Sequence, residues 1–80
     1  MANRNVKGAL IRARLEWVRD YASREETIEF FEALPAEVRC QVSMLLPAAS
    51  YDAGTLAAVD QTIVALFGAD GRAAVEGPPL

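Results

Sequence analysis

Helix-terminating residues divide this chain into short segments, and no other sequence feature limits its fold as strongly. Pro35 disfavours the helical conformation at the residue before it and suits the first turn of a following helix, so it marks a boundary between two neighbouring helices. Pro47 stops the next segment because proline has no backbone N–H to donate. Gly68 stands where a glycine C-cap is expected. The chain is therefore predicted to consist of short helices joined by tight connections.

Within each segment, apolar residues recur every three or four positions, the spacing that places them on one face of a helix. In the second segment, Ile28, Phe31 and Leu34 form such a stripe. The predicted helices cover about residues 6–22, 24–34, 35–46 and 53–67, and a short fifth turn could form at 72–76.

The start of the second helix carries a clear local signal. Ser23 and Glu26 have the spacing of a capping box, in which each side chain accepts a hydrogen bond from the other residue's backbone N–H. We therefore predict that this helix begins directly after Ser23.

No segment alternates between apolar and polar residues over a useful length, so no strand is predicted. Four helices with short connections indicate an all-α fold, a compact bundle of four helices. Eighty residues suffice for one small domain. We place a single helical domain at residues 1–76 and predict a disordered tail at 77–80, where glycine and two prolines cannot continue a helix.

The composition excludes several classes of functional site. The chain contains no histidine and one cysteine, Cys40. It therefore cannot supply a histidine ligand to a metal or haem, a histidine base for catalysis, or an internal disulfide. It also contains no glycine-rich phosphate loop. We expect a chain that is not an enzyme, with no catalytic, metal-binding or cofactor-binding residues and no cofactor.

Charge is distributed unevenly along the chain, whose net charge is −3. Residues 1–19 carry five cationic side chains and one anionic side chain, whereas residues 20–80 carry three and ten. Because cations beside an acidic body more often pair within the chain, nucleic acid is not an expected partner. No apolar run is long enough for a membrane span and no signal peptide is visible, which predicts a cytoplasmic location without membrane contact.

Arg14 is the main anomaly of the pattern, because the helical wheel places it inside the apolar sector of the first helix. Asp60 interrupts the apolar stripe of the last helix in the same way. A buried charge is costly unless it is paired. Arg14 is therefore expected either to lay its stem along Trp17 and Tyr21 or to pair with a carboxylate of the second or fourth segment. A buried ion pair between Arg14 and Asp60 is the specific hypothesis. The alternative interpretation is that Arg14, together with Lys7 and Trp17, binds an anionic ligand or contacts a partner.

Aromatic and flexible apolar side chains are further candidates for contacts. Trp17 and Tyr21 are four residues apart on one helix, which favours packing in the core but also suits an interface anchor. Met44 has a flexible, polarisable side chain that adapts to varied surfaces. The candidate interface or ligand contacts are therefore Arg14, Trp17, Tyr21, Leu10 and Met44.

Four further motifs follow one another along the chain. They are the run from Val6 to Val18, a Phe-rich second helix ending in Ala33-Leu34-Pro35, Leu45-Leu46-Pro47, and Ser50-Tyr51. Their order resembles the N-terminal half of a helical domain of unknown function that is restricted to myxobacteria. The resemblance covers residues 6–68, and Ser50 stands where the family usually has tryptophan. Because that domain occurs alone or beside signalling modules, the resemblance implies regulation or protein interaction, and not a reaction.

Two functional hypotheses follow for this chain, which the resemblance implies to be bacterial. The first is a non-catalytic helical module for protein–protein interaction and regulation, which self-associates, most simply as a dimer, or docks to a signalling partner. The second is a sensor domain for a small ligand or anion, centred on Arg14 and Trp17.

Overall fold

Four helices make up most of residues 5–76, the part of the chain that the computed structural model describes. They confirm the predicted compact all-α bundle. The predicted tail at 77–80 and the first four residues of the predicted domain lie outside the described residues. Among the described helices, none combines the length and hydrophobicity that a membrane-spanning segment needs. The helices are α1 (Gly8–Tyr21), α2 (Arg24–Ala33), α3 (Ala36–Ser43) and α4 (Ala53–Glu76).

Two short strands accompany the helices, and the prediction of no strand was wrong. β1 (Asn5–Lys7) pairs antiparallel with β2 (Ser50–Asp52), and Val6 lies opposite Tyr51 in the register. Strands of three residues are too short to display an alternating pattern. Because the chain is extended through Lys7, α1 begins at Gly8 instead of at about residue 6.

The loop at residues 44–49, here called the capping loop, covers the first turn of α1. The Gly8 N–H donates to the Ala49 carbonyl at 2.8 Å, and the Ala9 N–H donates to the Pro47 carbonyl at 2.9 Å. α1 has no side-chain N-cap, so the loop carbonyls satisfy two of the N–H groups that a helix start leaves unpaired. α3 ends at Ser43 and not at the predicted residue 46, because the backbone leaves the helical conformation at Met44, where φ is −119° and ψ is 28°.

α4 is interrupted at Gly68, where the predicted C-cap glycine has a φ of 59°. A side chain would disfavour this left-handed conformation, and glycine adopts it freely. The chain is helical again over 69–76, a longer stretch than the predicted turn at 72–76. A β-carbon at buried Gly71 would press on the Ile63 carbonyl, so the segment after the break folds back against the helix before it.

The core is one apolar cluster drawn from all four helices. Phe30 of α2 and Leu34, the residue that caps its C-terminus, are buried, and Phe31 packs against the cluster from the side. Ile28, which belongs to the same predicted stripe, is instead 51% exposed. The buried residues are Ile11, Val18, Phe30, Leu34, Val38, Val42, Val59 and Ile63.

The capping box predicted at the start of α2 is present. The Glu26 N–H donates to Ser23 Oγ at 3.1 Å, and the Ser23 N–H donates to Glu26 Oε1 at 3.0 Å. Glu25 and Glu26 also lie in the first helical turn, where the helix dipole favours negative charge.

Ser23→Ala is expected to lower the free energy of unfolding by about 1 kcal/mol, because it leaves an N–H at the start of α2 without its acceptor. Ser43→Ala is the matched control, since the Ser43 hydroxyl only donates back to the Cys40 carbonyl in the last turn of α3. The control should change the same free energy by less than about 0.5 kcal/mol. Urea denaturation of both variants measures the difference, and equal losses would contradict a role for the capping box.

Candidate functional site

The predicted pair between Arg14 and Asp60 joins α1 to α4. Arg14 Nε donates to Asp60 Oδ1 at 3.0 Å, and Arg14 Nη2 donates to the Val75 carbonyl at 3.1 Å. Each side chain of the predicted buried pair is 20% exposed, so the pair is partly buried. The guanidinium therefore contacts α4 on both sides of the break at Gly68.

Burial raises the pKa of Asp60 above its usual value, although the neighbouring Arg14 guanidinium acts in the opposite direction. Desolvation of the carboxylate thus outweighs the stabilisation that it receives from the arginine. Such a pair contributes little net stability but is costly to break. Its main effect is to fix how α1 and α4 are positioned against each other.

Asp60 is expected to make the protein less stable as the pH rises, relative to the Asp60→Asn variant. Folded Asp60 holds its proton more tightly than unfolded Asp60, whose pKa is near 3.8. Its contribution to stability is therefore largest below that value and is lost as the pH rises through the raised pKa of the folded state. Urea unfolding of both proteins between about pH 3 and pH 7 measures this dependence. The free energy of unfolding of the wild type minus that of the variant should fall as the pH rises. An increase of this difference with pH would contradict the raised pKa.

Arg14→Met is expected to lower the free energy of unfolding by about 1–3 kcal/mol, because Asp60 keeps its charge and loses its cation. Removing one partner of a fully buried pair costs about 3–5 kcal/mol, and the partial exposure of this pair reduces that cost. The double variant Arg14→Met/Asp60→Leu should recover most of the loss, since apolar residues can replace an ion pair. Chemical denaturation compares the three proteins, and a single variant as stable as the wild type would rule out a structural pair.

Trp17 and Tyr21 form an aromatic cluster with Phe67 of α4. The Trp17 and Tyr21 rings stack with centroids 4.6 Å apart, and Phe67 meets them edge-on at 5.7 and 5.5 Å. The Tyr21 hydroxyl donates to Asp70 Oδ2, and this hydrogen bond is the main cause of a raised Tyr21 pKa. The aromatic pair therefore serves internal packing, although Tyr21 remains 48% exposed.

The predicted contact residues are not brought together in one site. Arg14, Trp17 and Tyr21 contact α4, whereas Leu10 lies in the first turn of α1, beside the capping loop that contains Met44. Leu10 is 41% exposed and Met44 is 75% exposed. The structure thus separates an internal set of contacts from an exposed apolar set.

A groove of about 200 Å³ lies between α1, the end of α3 and the capping loop, and the sequence pattern did not predict it. Its charged side chains come from α1, where Arg12 and Glu16 form an exposed i,i+4 ion pair at 3.4 Å. Its apolar side chains are buried or half-buried. We call it the α1 groove, and it is lined by Arg12, Leu15, Glu16, Arg19, Val42 and Leu45.

The described residues offer little to a metal ion. Within 5–76, no group of three or more acidic or cysteine side chains is arranged to hold one. The candidate functional surface is the α1 groove together with the exposed side chains of Met44 and Leu46, which flank the groove residue Leu45 in the sequence.

Comparisons of the chain with models of protein families, with curated proteins and with solved structures give no match. The resemblance to half of a myxobacterial helical domain stays a prediction that rests on the quoted motifs alone.

Proposed function

We propose that this chain is a non-catalytic helical module that acts by binding protein, either a second copy of itself or a signalling partner. The observation that carries the proposal is the exposure of Met44 and Leu46, which are 75% and 64% exposed. They flank Leu45, which lines the α1 groove. Large apolar side chains that lie next to a groove are typical of surfaces that bind protein.

The capping loop supports this proposal because its backbone is held in place. Its Pro47 and Ala49 carbonyls accept hydrogen bonds from α1, and the Leu46 N–H donates to the Tyr51 hydroxyl at 2.9 Å. A partner that binds an ordered loop loses less conformational entropy than one that must order the loop itself.

The size of the chain favours association as well. A domain of eighty residues buries a modest fraction of its surface and gains stability when a partner covers more of it.

The proposal also includes the absence of catalysis and a cytoplasmic location. A chain without histidine lacks the commonest general base. The location is the one that the sequence pattern predicts.

The hypothesis of an anion sensor centred on Arg14 and Trp17 receives less support. Two donor groups of Arg14 already serve Asp60 and the Val75 carbonyl. The Trp17 ring stacks on Tyr21. Lys7, the third residue of that hypothesis, lies in β1.

Sedimentation velocity over a concentration series and a crosslinked pull-down test the proposal on the wild type and on Met44→Gln/Leu46→Gln. We expect the wild type to self-associate or retain a partner, and the variant to lose that association while keeping its helical circular dichroism. Ala57→Gln/Ala65→Gln is the matched control, because it adds the same amides at exposed positions of α4. A wild type that stays monomeric and retains no partner contradicts the proposal, as does a double variant that associates like the wild type.

A further inference from the structure

We infer that the α1 groove binds helix α2 of a second copy of this chain. The inference rests on the proposed function and adds to it the two surfaces that meet.

The groove offers two cations on either side of an apolar floor. Arg12 and Arg19 are exposed and lie seven residues apart on α1, which separates them by about 10.5 Å along the helix axis. Leu15 lies between them, and Val42 and Leu45 continue the apolar lining. Within residues 5–76, no carboxylate lies within salt-bridge distance of Arg19.

Helix α2 presents a matching surface of opposite charge. Glu25 and Glu32 are also exposed and seven residues apart, so they too are separated by about 10.5 Å along the helix axis. Ile28 lies between them, and it is 51% exposed although its spacing is that of a core stripe. Glu29, next to it on the same face, adds a third negative charge. We call Glu25, Ile28, Glu29 and Glu32 the acidic face of α2.

The two surfaces complement each other in spacing, charge and polarity. A pair of arginines faces a pair of glutamates at equal separation, and an exposed isoleucine gains a groove that is lined by aliphatic side chains. The Arg12–Glu16 pair joins side chains that are 59% and 57% exposed, and exposed pairs of this kind are weak. Arg12 can therefore exchange Glu16 for a glutamate of the partner, provided that the released Glu16 side chain, which also lines the groove, turns toward solvent and away from the acidic face of α2.

A second copy is the occupant that these observations favour, because one chain carries both surfaces on different elements. The groove is formed by α1, the end of α3 and the capping loop, and the acidic face belongs to α2, so the two surfaces share no residue. Two copies can then make the contact twice in a closed dimer.

Sedimentation equilibrium at about 0.15 M salt tests the inference with reversed charges. Arg12→Glu/Arg19→Glu and Glu25→Arg/Glu32→Arg should each weaken self-association by about tenfold or more, because each places like charges opposite one another. An equimolar mixture of the two variants should restore association, since the reversed groove then meets a reversed α2.

The charge reversal at Arg12 alone has a matched control in this chain. Arg72, like Arg12, is an exposed arginine in an i,i+4 pair, here with Glu76, and it does not line the groove. Arg12→Glu should therefore weaken the dimer, and Arg72→Glu should leave it unchanged. Circular dichroism melts of all variants establish that each one is folded.

Three results would overturn the inference: a monomeric wild type, folded charge variants that associate like the wild type, or a mixture that does not recover. The outcomes distinguish a failure of this inference from a failure of the proposed function. If Met44→Gln/Leu46→Gln abolishes association while the charge reversals do not, the module binds protein through the capping loop and α2 is not the occupant. If the wild type neither self-associates nor retains a partner, both proposals fall.

Discussion

Phe30→Ala is expected to lower the free energy of unfolding by about 3–5 kcal/mol, because it removes a large side chain from the centre of the core and leaves a cavity. Phe30 is fully buried and has the largest side chain among the fully buried residues described. Its ring also meets that of Phe31 edge-on, with centroids 5.2 Å apart. A domain of this length has a total stability of only about 4–12 kcal/mol, so the variant should be close to unfolding at room temperature.

Phe31→Ala is the control for this prediction, because Phe31 is half-buried and packs at the side of the same cluster. It should lose about half as much stability as Phe30→Ala, since less apolar area is removed from the interior. Urea unfolding followed by circular dichroism and by the fluorescence of the single tryptophan, Trp17, measures both variants. A loss below about 1 kcal/mol for Phe30→Ala would show that the core is not centred on this ring.

Gly8→Ala is expected to lower the free energy of unfolding by about 2–3 kcal/mol, although alanine is the better helix former. A β-carbon at this position would clash with the Leu46 carbonyl oxygen and lie 3.0 Å from the Tyr51 ring. The obstacle is backbone, and the Gly8 N–H is itself bonded to the capping loop, so neither side can move without losing hydrogen bonds. The variant should therefore also disturb the presentation of Met44.

Gly54→Ala provides the contrast, because a β-carbon there would meet only the carboxylate of Asp52. This exposed side chain can turn away at the cost of the one hydrogen bond that it accepts from the Gly54 N–H. Its stability should change by less than about 1 kcal/mol. Thermal unfolding monitored by circular dichroism compares the two alanine variants. If both glycines tolerate alanine equally, the close approach of the capping loop to α1 is not a constraint on the fold.

Short-range signals predicted the helices and one tertiary contact. The Ser23 and Glu26 spacing depends on one helical turn alone, and it located the start of α2 correctly. The Arg14–Asp60 pair could be predicted because each charge stands inside an otherwise apolar stripe, and such charges need a partner. Both inferences start from a pattern that is visible within a single helix.

Features that depend on distant residues were not predictable in this way. β1 and β2 pair residues such as Asn5 and Asp52, and neither strand carries a pattern of its own. The groove requires the rotation of α1 relative to α3, which periodicity does not specify. Ile28 fits the helical stripe of α2, yet Phe30 and Leu34 occupy the interior, and a bundle this small covers only part of a broad apolar face.

The capping loop has a consequence for the order in which the protein folds. The first turn of α1 is completed by carbonyls of Pro47 and Ala49, and Arg14 binds a carbonyl that follows it by 61 residues. During synthesis α1 leaves the ribosome before these partners do, so its first turn lacks their carbonyls until the later segments have followed. We expect folding to be one cooperative event, slower than in helical bundles whose contacts are local, with the first of the four helices to be made among the last to become stable.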